Sequence, residues 1–412
     1  MRLEKLSLIL HFYQPSIQTQ NQFKQIFDSS YFPLLRVLRS KKNCRFTLNI
    51  PLSFLELADS YGYKSWIEEL AKLYDQGVIE LLGTGAYHPL LNSVPNTICT
   101  DEIILQEYGL GYYFGKHTGF DGEKEILIRD IKGFFPPELA ISGEVCSLLN
   151  DLGYKWVLAD ECSVENKKFP LVQHTSGVYV LLRNTSLSNM LAFHRGFDTT
   201  PLYNELKEYG HEHLVLALDA ETFGHHNKQG VVLLDILVDQ LLQKSVRFET
   251  ASALVEELSD IKDSIEIKEV LLSSWGATVE NVRSNNPLPM WKIPTNPLHV
   301  SIWQLFSYLF TSYDKLEQPV ALPVLGNVPF WKHQVTDTLD ISTRHYIESK
   351  FMLFKLLASD FLWWASGAVL FNVTVLLDKE LIRKYLVLGN SYALYAPDRK
   401  VGELCDAIES LL

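Results

Sequence analysis

Short apolar runs, each closed by a polar or charged residue, recur along the first part of this chain, and helical patterns fill the spaces between them. Residues 6–10 precede His11, residues 45–50 precede Pro51, residues 78–82 precede GTGAYHP, and residues 133–135 precede Pro136-Pro137-Glu138. Residues 156–159 precede Asp160-Glu161, residues 178–182 precede Arg183, residues 214–218 precede Asp219, and residues 246–248 precede Glu249-Thr250. Segments such as SWIEELAKLYDQG (65–77), GEVCSLLNDLGYK (143–155) and VVLLDILVDQLLQK (231–244) carry helical periodicity. A strand buried on both faces reads as a continuous apolar run, and strands alternating with helices build a parallel sheet. Seven or eight such units within roughly 250 residues fit a (β/α) barrel, with a doubly wound sheet as the alternative.

The barrel reading gives the polar residues a meaning. In such barrels the chemistry sits at the C-terminal ends of the strands. His11, Tyr87-His88, Glu138, Asp160, Arg183 and Asp219 all lie just past an apolar run. From about residue 265 the pattern changes. Residues 272–297, LSSWGATVENVRSNNPLPMWKIPTNP, are loop-like, and residues 299–316 and 342–364 are helical in period. We therefore expect an α/β catalytic barrel over 1–265 and a mostly helical region over 266–412 that completes the cleft.

Composition bounds the partners. With 412 residues and 47% hydrophobic content the chain can bury a large core. A net charge of −12 with no basic stripe argues against a nucleic-acid partner. The N-terminal apolar stretch is too short for a secretory signal. Residues 361–377 are uncharged, but they fall short of a typical membrane span and read as a buried helix broken near Ser366-Gly367, then a strand. Cys44, Cys99, Cys146, Cys162 and Cys405 form no CxxC pair, so reduced thiols in a cytoplasmic protein are expected.

Two carboxylates from separate strand ends, Glu138 and Asp219, can work as a pair on a glycosidic bond. One serves as nucleophile or base and the other as general acid. Separations of about 5–5.5 Å imply retention of configuration, and roughly 6.5–9.5 Å imply inversion. On spacing alone, a structural salt bridge is the commoner fate of either acid. His11, His88, His225 and His226 also lie beside strand ends, but neither HExxH nor HxxxH is present, and no metal or other cofactor is expected. Substrate hydrogen bonding suits His11 and His88 better. Trp275, in a glycine-containing loop, is the first choice among the tryptophans for a sugar platform. No GxSxG, P-loop or strand-linked GxGxxG occurs.

Taken in order, these segments resemble the five conserved regions of glycoside hydrolase family 57, a family of α-amylases, 4-α-glucanotransferases, branching enzymes and amylopullulanases. LHFYQP supplies His11, Gln14 and Pro15, and GVIELLGTGAYHP supplies Gly77, Glu80, Tyr87 and His88. GFFPPELAIS places the family's nucleophile on Glu138, and LALDAETFGHH places its general acid/base on Asp219. SSWGATVENVRSNNPLPMWK supplies Trp275, and SDFLWWAS (359–366) is similar to part of the family's helical region.

The resemblance spans residues 6 to about 370. It implies a distorted, seven-stranded (β/α)7 barrel followed by a helical C-terminal domain, and a retaining mechanism on the α-glucosidic bonds of α-glucans and maltooligosaccharides. His11, Gln14, Glu80, His88, Glu221 and Trp275 would contact substrate. The sequence departs from the family pattern at Tyr13, where a second histidine is usual, and within DAETFGHH. The short chain favours an α-amylase-like hydrolase. A 4-α-glucanotransferase or branching-type transglycosylase, a metal-dependent polysaccharide deacetylase and a non-catalytic glycan binder are the alternatives.

Overall fold

The computed structural model describes residues 2–115, 131–165, 170–261, 265–313, 315–316, 340–367, 369–370, 373–374, 377–396 and 398–412. Contacts divide the chain into two compact units. The first holds residues 1–14, 18–84 and 129–275, and the second holds 15–17, 85–128 and 276–412. By contacts the first unit runs on to residue 275, and residues 85–128 group with the second. The physical reason is local. Leu271 N–H donates to Ser163 O at 2.9 Å, and Ser273 pairs with Ile141 through two backbone bonds of 3.0 and 3.1 Å, so residues 271–275 run along the 138–141 loop.

The first unit is built on strands β1 (Lys5–His11), β2 (Phe46–Asn49), β3 (Ile79–Leu82), β4 (Gly133–Phe134), β5 (Trp156–Asp160), β6 (Leu171–Gln173), β7 (Tyr179–Arg183), β8 (His213–Asp219) and β9 (Arg247–Phe248). All eight apolar runs become strands. β1 lies parallel to β2 on one edge and to β8 on the other, and β2 continues to β3. β4, β5 and β7 form a second parallel series. Two seams join the series into a ring. Gly83 bridges Phe134, with bonds of 3.0 and 2.8 Å to Gly133 O and from Phe135 N–H. Asn184 N–H reaches Val215 O at 2.8 Å, linking β7 to β8. The result is a seven-stranded barrel of β1, β2, β3, β4, β5, β7 and β8. β9 pairs with the start of β1, and β6 adds antiparallel to β7.

Side-chain alternation fills the barrel. Ile9, Leu82, Trp156, Leu158, Leu181, Val215 and Ala217 form one buried cluster with Ala251, Leu254, Val255 and Leu258 of helix Ala251–Asp260. That helix is capped by Thr250, whose side chain accepts from Ala253 N–H. Its next amides are also met from the barrel. Ala251 N–H donates to Thr47 Oγ1 at 2.8 Å and Ser252 N–H to Glu80 at 3.2 Å. An anion at a helix N-terminus satisfies orphan donors and opposes the helix dipole.

The β3–β4 seam depends on close approach. A Cβ on Gly133 would sit 2.1 Å from the Trp156 ring, and one on Gly83 would sit 2.4 Å from the Tyr154 hydroxyl.

The second unit is mostly helical among its described residues. Pro297–Tyr313 packs on Arg399–Glu409 and Ser359–Ala365, and Ile341–Leu356 packs on Lys379–Tyr395. The helical pattern over 342–364 breaks at Ala358, which is extended (φ −55°, ψ 136°) and bridges Pro89. Asp101, on helix Asn96–Phe114, accepts from Tyr313 and from Lys350 at 2.7 Å. Its neighbour Glu102 is fully buried, accepts Tyr87 N–H at 2.8 Å and is pushed up to about 8 by burial. Of the uncharged run 361–377, Ser359–Ala365 is helix, Gly367 turns left-handed (φ 56°), and Val369–Leu370 pairs with Val373–Thr374. Residues 368, 371–372 and 375–376 of that run lie outside the described residues. No described helix is long and apolar enough to cross a membrane. All five cysteines are buried and none is in a disulfide.

Two predictions follow from these contacts. Gly133→Ala forces the Trp156 ring or the β4 backbone aside and should destabilise the chain by about 2–3 kcal/mol, measured by urea unfolding. Glu102 binds its proton more tightly folded than unfolded. Its contribution is therefore full below about pH 4.5 and is lost as pH rises through about 8. Melting temperature against pH should be flatter over that window in Glu102→Gln than in the wild type.

Candidate active site

One row of residues crosses the C-terminal edge of the barrel. Register places His11 of β1 beside Asn49 of β2 and beside Asp219 of β8. Asp160 of β5 lies beside Arg183 of β7. His11, Asp160, Arg183 and Asp219 each follow an inward apolar residue two positions earlier (Ile9, Leu158, Leu181 and Ala217), and Asn49 follows the buried Thr47, so period-2 alternation turns all five inward above the core cluster.

His11 is buried and its Nδ1 lies 2.6 Å from Asn49 Oδ1. Its ring stacks on Phe135 at 4.8 Å and meets Trp275 edge-on at 6.1 Å. Burial drives its pKa down to about 4, against the Asn49 hydrogen bond and the Glu221 charge, which both act the other way. The imidazole is therefore neutral at ordinary pH. A neutral ring holds one N–H and one bare nitrogen, and its Asn49 contact bears on which is which.

Glu138 follows β4 through Pro136 and Pro137 and adopts a left-handed backbone (φ 59°, ψ 15°). Leu139 is left-handed as well, at φ 46°. Two successive non-glycine residues in this region cost on the order of 1–3 kcal/mol each and persist only where the surroundings enforce them. Here Leu139 N–H bonds Pro136 O at 2.8 Å and Ala140 N–H bonds Pro137 O at 2.9 Å. Trp275 then grips Glu138 twice, with its backbone N–H to the carbonyl at 2.9 Å and its indole Nε1–H to the carboxylate at 2.8 Å.

Trp275, expected as a sugar platform, also ties neighbouring groups together. Its N–H is spent on Glu138, its ring meets Phe135 edge-on at 5.9 Å, and the Arg183 guanidinium lies 5.5 Å over it. Arg183 is in turn fixed by Asp160 at 2.7 Å and by Ala217 O at 2.9 Å.

Asp219 ends β8, partly exposed, and the short turn that follows (Ala220–Thr222) carries Glu221. One Glu221 oxygen accepts from Gln14 and lies 3.3 Å from the Tyr31 hydroxyl, and the other is 3.0 Å from His226 Nε2. Burial would raise this carboxyl, but the His226 hydrogen bond and the nearby histidine charges outweigh it and hold it below the usual range. Tyr31 comes from a π-helical segment, Phe27–Tyr31, whose Ser30 hydroxyl also holds Ala220 O at 2.9 Å. Such wide turns are frequent at functional sites.

The structure thus gathers His11, Gln14, Glu138, Asp219, Glu221 and Trp275 within the first unit. It separates Glu80. That residue precedes the inward Leu82 on β3, and its carboxylate is bound by Thr47 at 3.0 Å and by the amide of Ser252. Glu80 therefore supports helix Ala251–Asp260 instead of joining the strand-end row. His88 belongs to the second unit, where it is buried, left-handed (φ 66°) and paired with Ser359 through both Nδ1 (2.9 Å) and its carbonyl (3.0 Å). Asn49, Tyr31, Phe135 and His226 were not singled out as site residues from the sequence, apart from His226 as a strand-end histidine. Strand pairing would have flagged Asn49. Nothing local marks Tyr31.

His11 gives a direct check. Its folded pKa lies below the unfolded value, so its contribution to stability is present above about pH 6.5 and is lost as pH falls toward 4. NMR should show one imidazole titrating near pH 4. Replacement of Asn49 by Leu removes a proton-favouring hydrogen bond and should lower that midpoint further.

Known proteins bear on this arrangement. No curated protein sequence matches the chain. Among solved structures, it is similar to a branching enzyme from Pyrococcus horikoshii, at 14% identity and TM-score 0.67, covering 99% of this chain and 94% of that one. An exo-type maltose-forming amylase from Pyrococcus sp. ST04 shows 11% identity and TM-score 0.68, over 98% and 82% of the two chains. A 4-alpha-glucanotransferase from Thermococcus litoralis shows 17% identity and TM-score 0.56, over 88% of this chain and 53% of that one. At these identities the likeness speaks for the fold. The model of glycosyl hydrolase family 57 matches residues 8–267, well over half of the chain and all of the strand-end row, and on that match the chain belongs to this family.

Proposed function

We propose that this protein is a retaining glycosidase acting on the α-glucosidic bonds of α-glucans and maltooligosaccharides, in the manner of an α-amylase. The observation that carries the reading is the enforced left-handed backbone of Glu138, with its carboxylate tied to Trp275 at the end of β4. A group held against its conformational preference is pre-organised for a task. Glu138 attacks the anomeric carbon while Asp219 protonates the departing glycosidic oxygen. This leaves a glycosyl ester on Glu138. Asp219, now a base, takes a proton from water, and the hydroxide displaces Glu138 from the opposite face. Two inversions give net retention.

The remaining residues prepare this sequence. The Trp275 indole N–H donates to the Glu138 carboxylate and fixes its orientation. His11, Gln14 and Glu221 supply hydrogen bonds to sugar hydroxyls, with His11 neutral. Among the described residues, no group of three His, Cys, Asp or Glu is placed to hold a metal ion. Transglycosylation remains the second reading, since similar structures include a branching enzyme and a 4-alpha-glucanotransferase. In that case a sugar hydroxyl replaces water in the second step. Buried thiols that form no disulfide fit a reducing, cytoplasmic setting.

Wild type, Glu138→Ala and Asp219→Asn, incubated with maltoheptaose and with soluble starch, separate these readings. Only shorter products, lost in both variants, are expected. Products longer than maltoheptaose would establish a transferase on the same pair, and turnover surviving in both variants would refute the assignment. Trp275→Phe keeps the ring but removes the donor to Glu138. It should lower kcat by roughly 10-fold or more, with a smaller change in KM.

A further inference from the structure

His226 stands beside the proposed chemistry on a loop whose geometry leaves it little freedom. Glu221 O accepts both His225 N–H at 3.1 Å and His226 N–H at 3.2 Å, and the His226 ring returns to the Glu221 carboxylate at 3.0 Å. Main chain and side chain therefore close on the same residue. Asn227 N–H bonds Thr222 O at 2.9 Å, and Gly224 N–H bonds Asn227 O at 2.8 Å. Gly224 is left-handed (φ 108°), and a Cβ there would lie 1.8 Å from Ser29 O, so the loop is seated directly on the π-helical segment. Gln14 and Tyr31 hold the far oxygen of Glu221.

We propose that His226 is a positioning residue for the reaction: it clamps the Glu221 carboxylate opposite Gln14 and Tyr31, and its charge offsets that of Glu221 beside Asp219. The proposal rests on Asp219 serving as the general acid/base. The charged and titratable groups acting on His226 are Glu221, Asp219, His225 and Arg195, of which the two carboxylates favour its cation and Arg195 opposes it. Tyr31 and His11 also sense Glu221. The pair Glu221–His226 is close to neutral while His226 keeps its proton, and the held carboxylate pushes that proton's release above the ordinary histidine range. Once the proton leaves, Asp219 faces an uncompensated carboxylate two residues away and holds its own proton more tightly.

Coupling between titrating groups is reciprocal. Whatever Asp219 does to His226, His226 does to Asp219 by the same amount. This makes the proposal measurable without activity. Histidine titrations would be followed by NMR in the full chain as wild type, Glu221→Gln and Asp219→Asn, with His226→Gln for assignment. The His226 midpoint should lie above 6.5 in wild type and fall in both carboxylate variants. The pH profile of kcat/KM on maltoheptaose would then be compared for wild type and His226→Gln. The glutamine keeps a donor to Glu221 but no charge, so the alkaline limb should move to higher pH by several tenths of a unit. A His226 midpoint unchanged in Asp219→Asn overturns the proposal whatever the activity. So does an unshifted alkaline limb in a His226→Gln protein of wild-type melting temperature. Absence of glucan turnover in wild type, with the NMR coupling intact, sinks the catalytic reading and leaves the charge coupling standing.

Discussion

The pairing of β1 with two neighbours at once sets the rest of the site. His11 is in register with Asn49 on one side and with Asp219 on the other. Because side chains alternate with period 2, a slip of one residue in either pairing would turn His11, Asn49 or Asp219 out of the barrel and bring an apolar neighbour in. The apolar layer beneath, with Ile9, Leu158, Leu181 and Ala217, makes such a slip costly, since every displaced side chain would lose its burial. The row is therefore fixed by the core and not by its own hydrogen bonds.

Around this row the protein spends strain and charge locally. Glu138 and Leu139 are both left-handed, which two preceding prolines and two bonds from Trp275 enforce. Arg183 is buried against Asp160 and rests on the same tryptophan, so one indole links the Glu138 loop to β7. On the other side of Asp219, the β8 loop sits on a π-helical segment through Gly224 and Ser30. These contacts lie on different strands and loops, yet each limits the orientation of a carboxylate. That is the arrangement expected where reacting groups must be held to within a fraction of an ångström.

The strands were legible because most are buried on both faces and so read as unbroken apolar runs. β6 escaped notice: LVQ is three residues long and pairs antiparallel at an edge. The helical period over 342–364 was real, but Ala358 breaks it to bridge Pro89, a partner more than 260 residues away. Residues 271–273 likewise owe their place to backbone bonds with Ile141 and Ser163, which no local pattern displays. Glu80 stands close to a strand end in sequence, and only the register of β3 and the amides of helix Ala251–Asp260 place it beside Thr47, one layer beneath the row.

By itself the sequence determined the parallel barrel, the strand ends and the acids and histidines that stand on them, because those follow from local hydrophobic pattern and chain order. Tertiary structure alone decided what each of these groups is paired with. Trp275 became a donor to Glu138, Asn49 a partner of His11, and Tyr31 and His226 the holders of Glu221. Such pairings join residues remote in the chain, or depend on how a loop turns, and their energies exist only once burial removes the competing water.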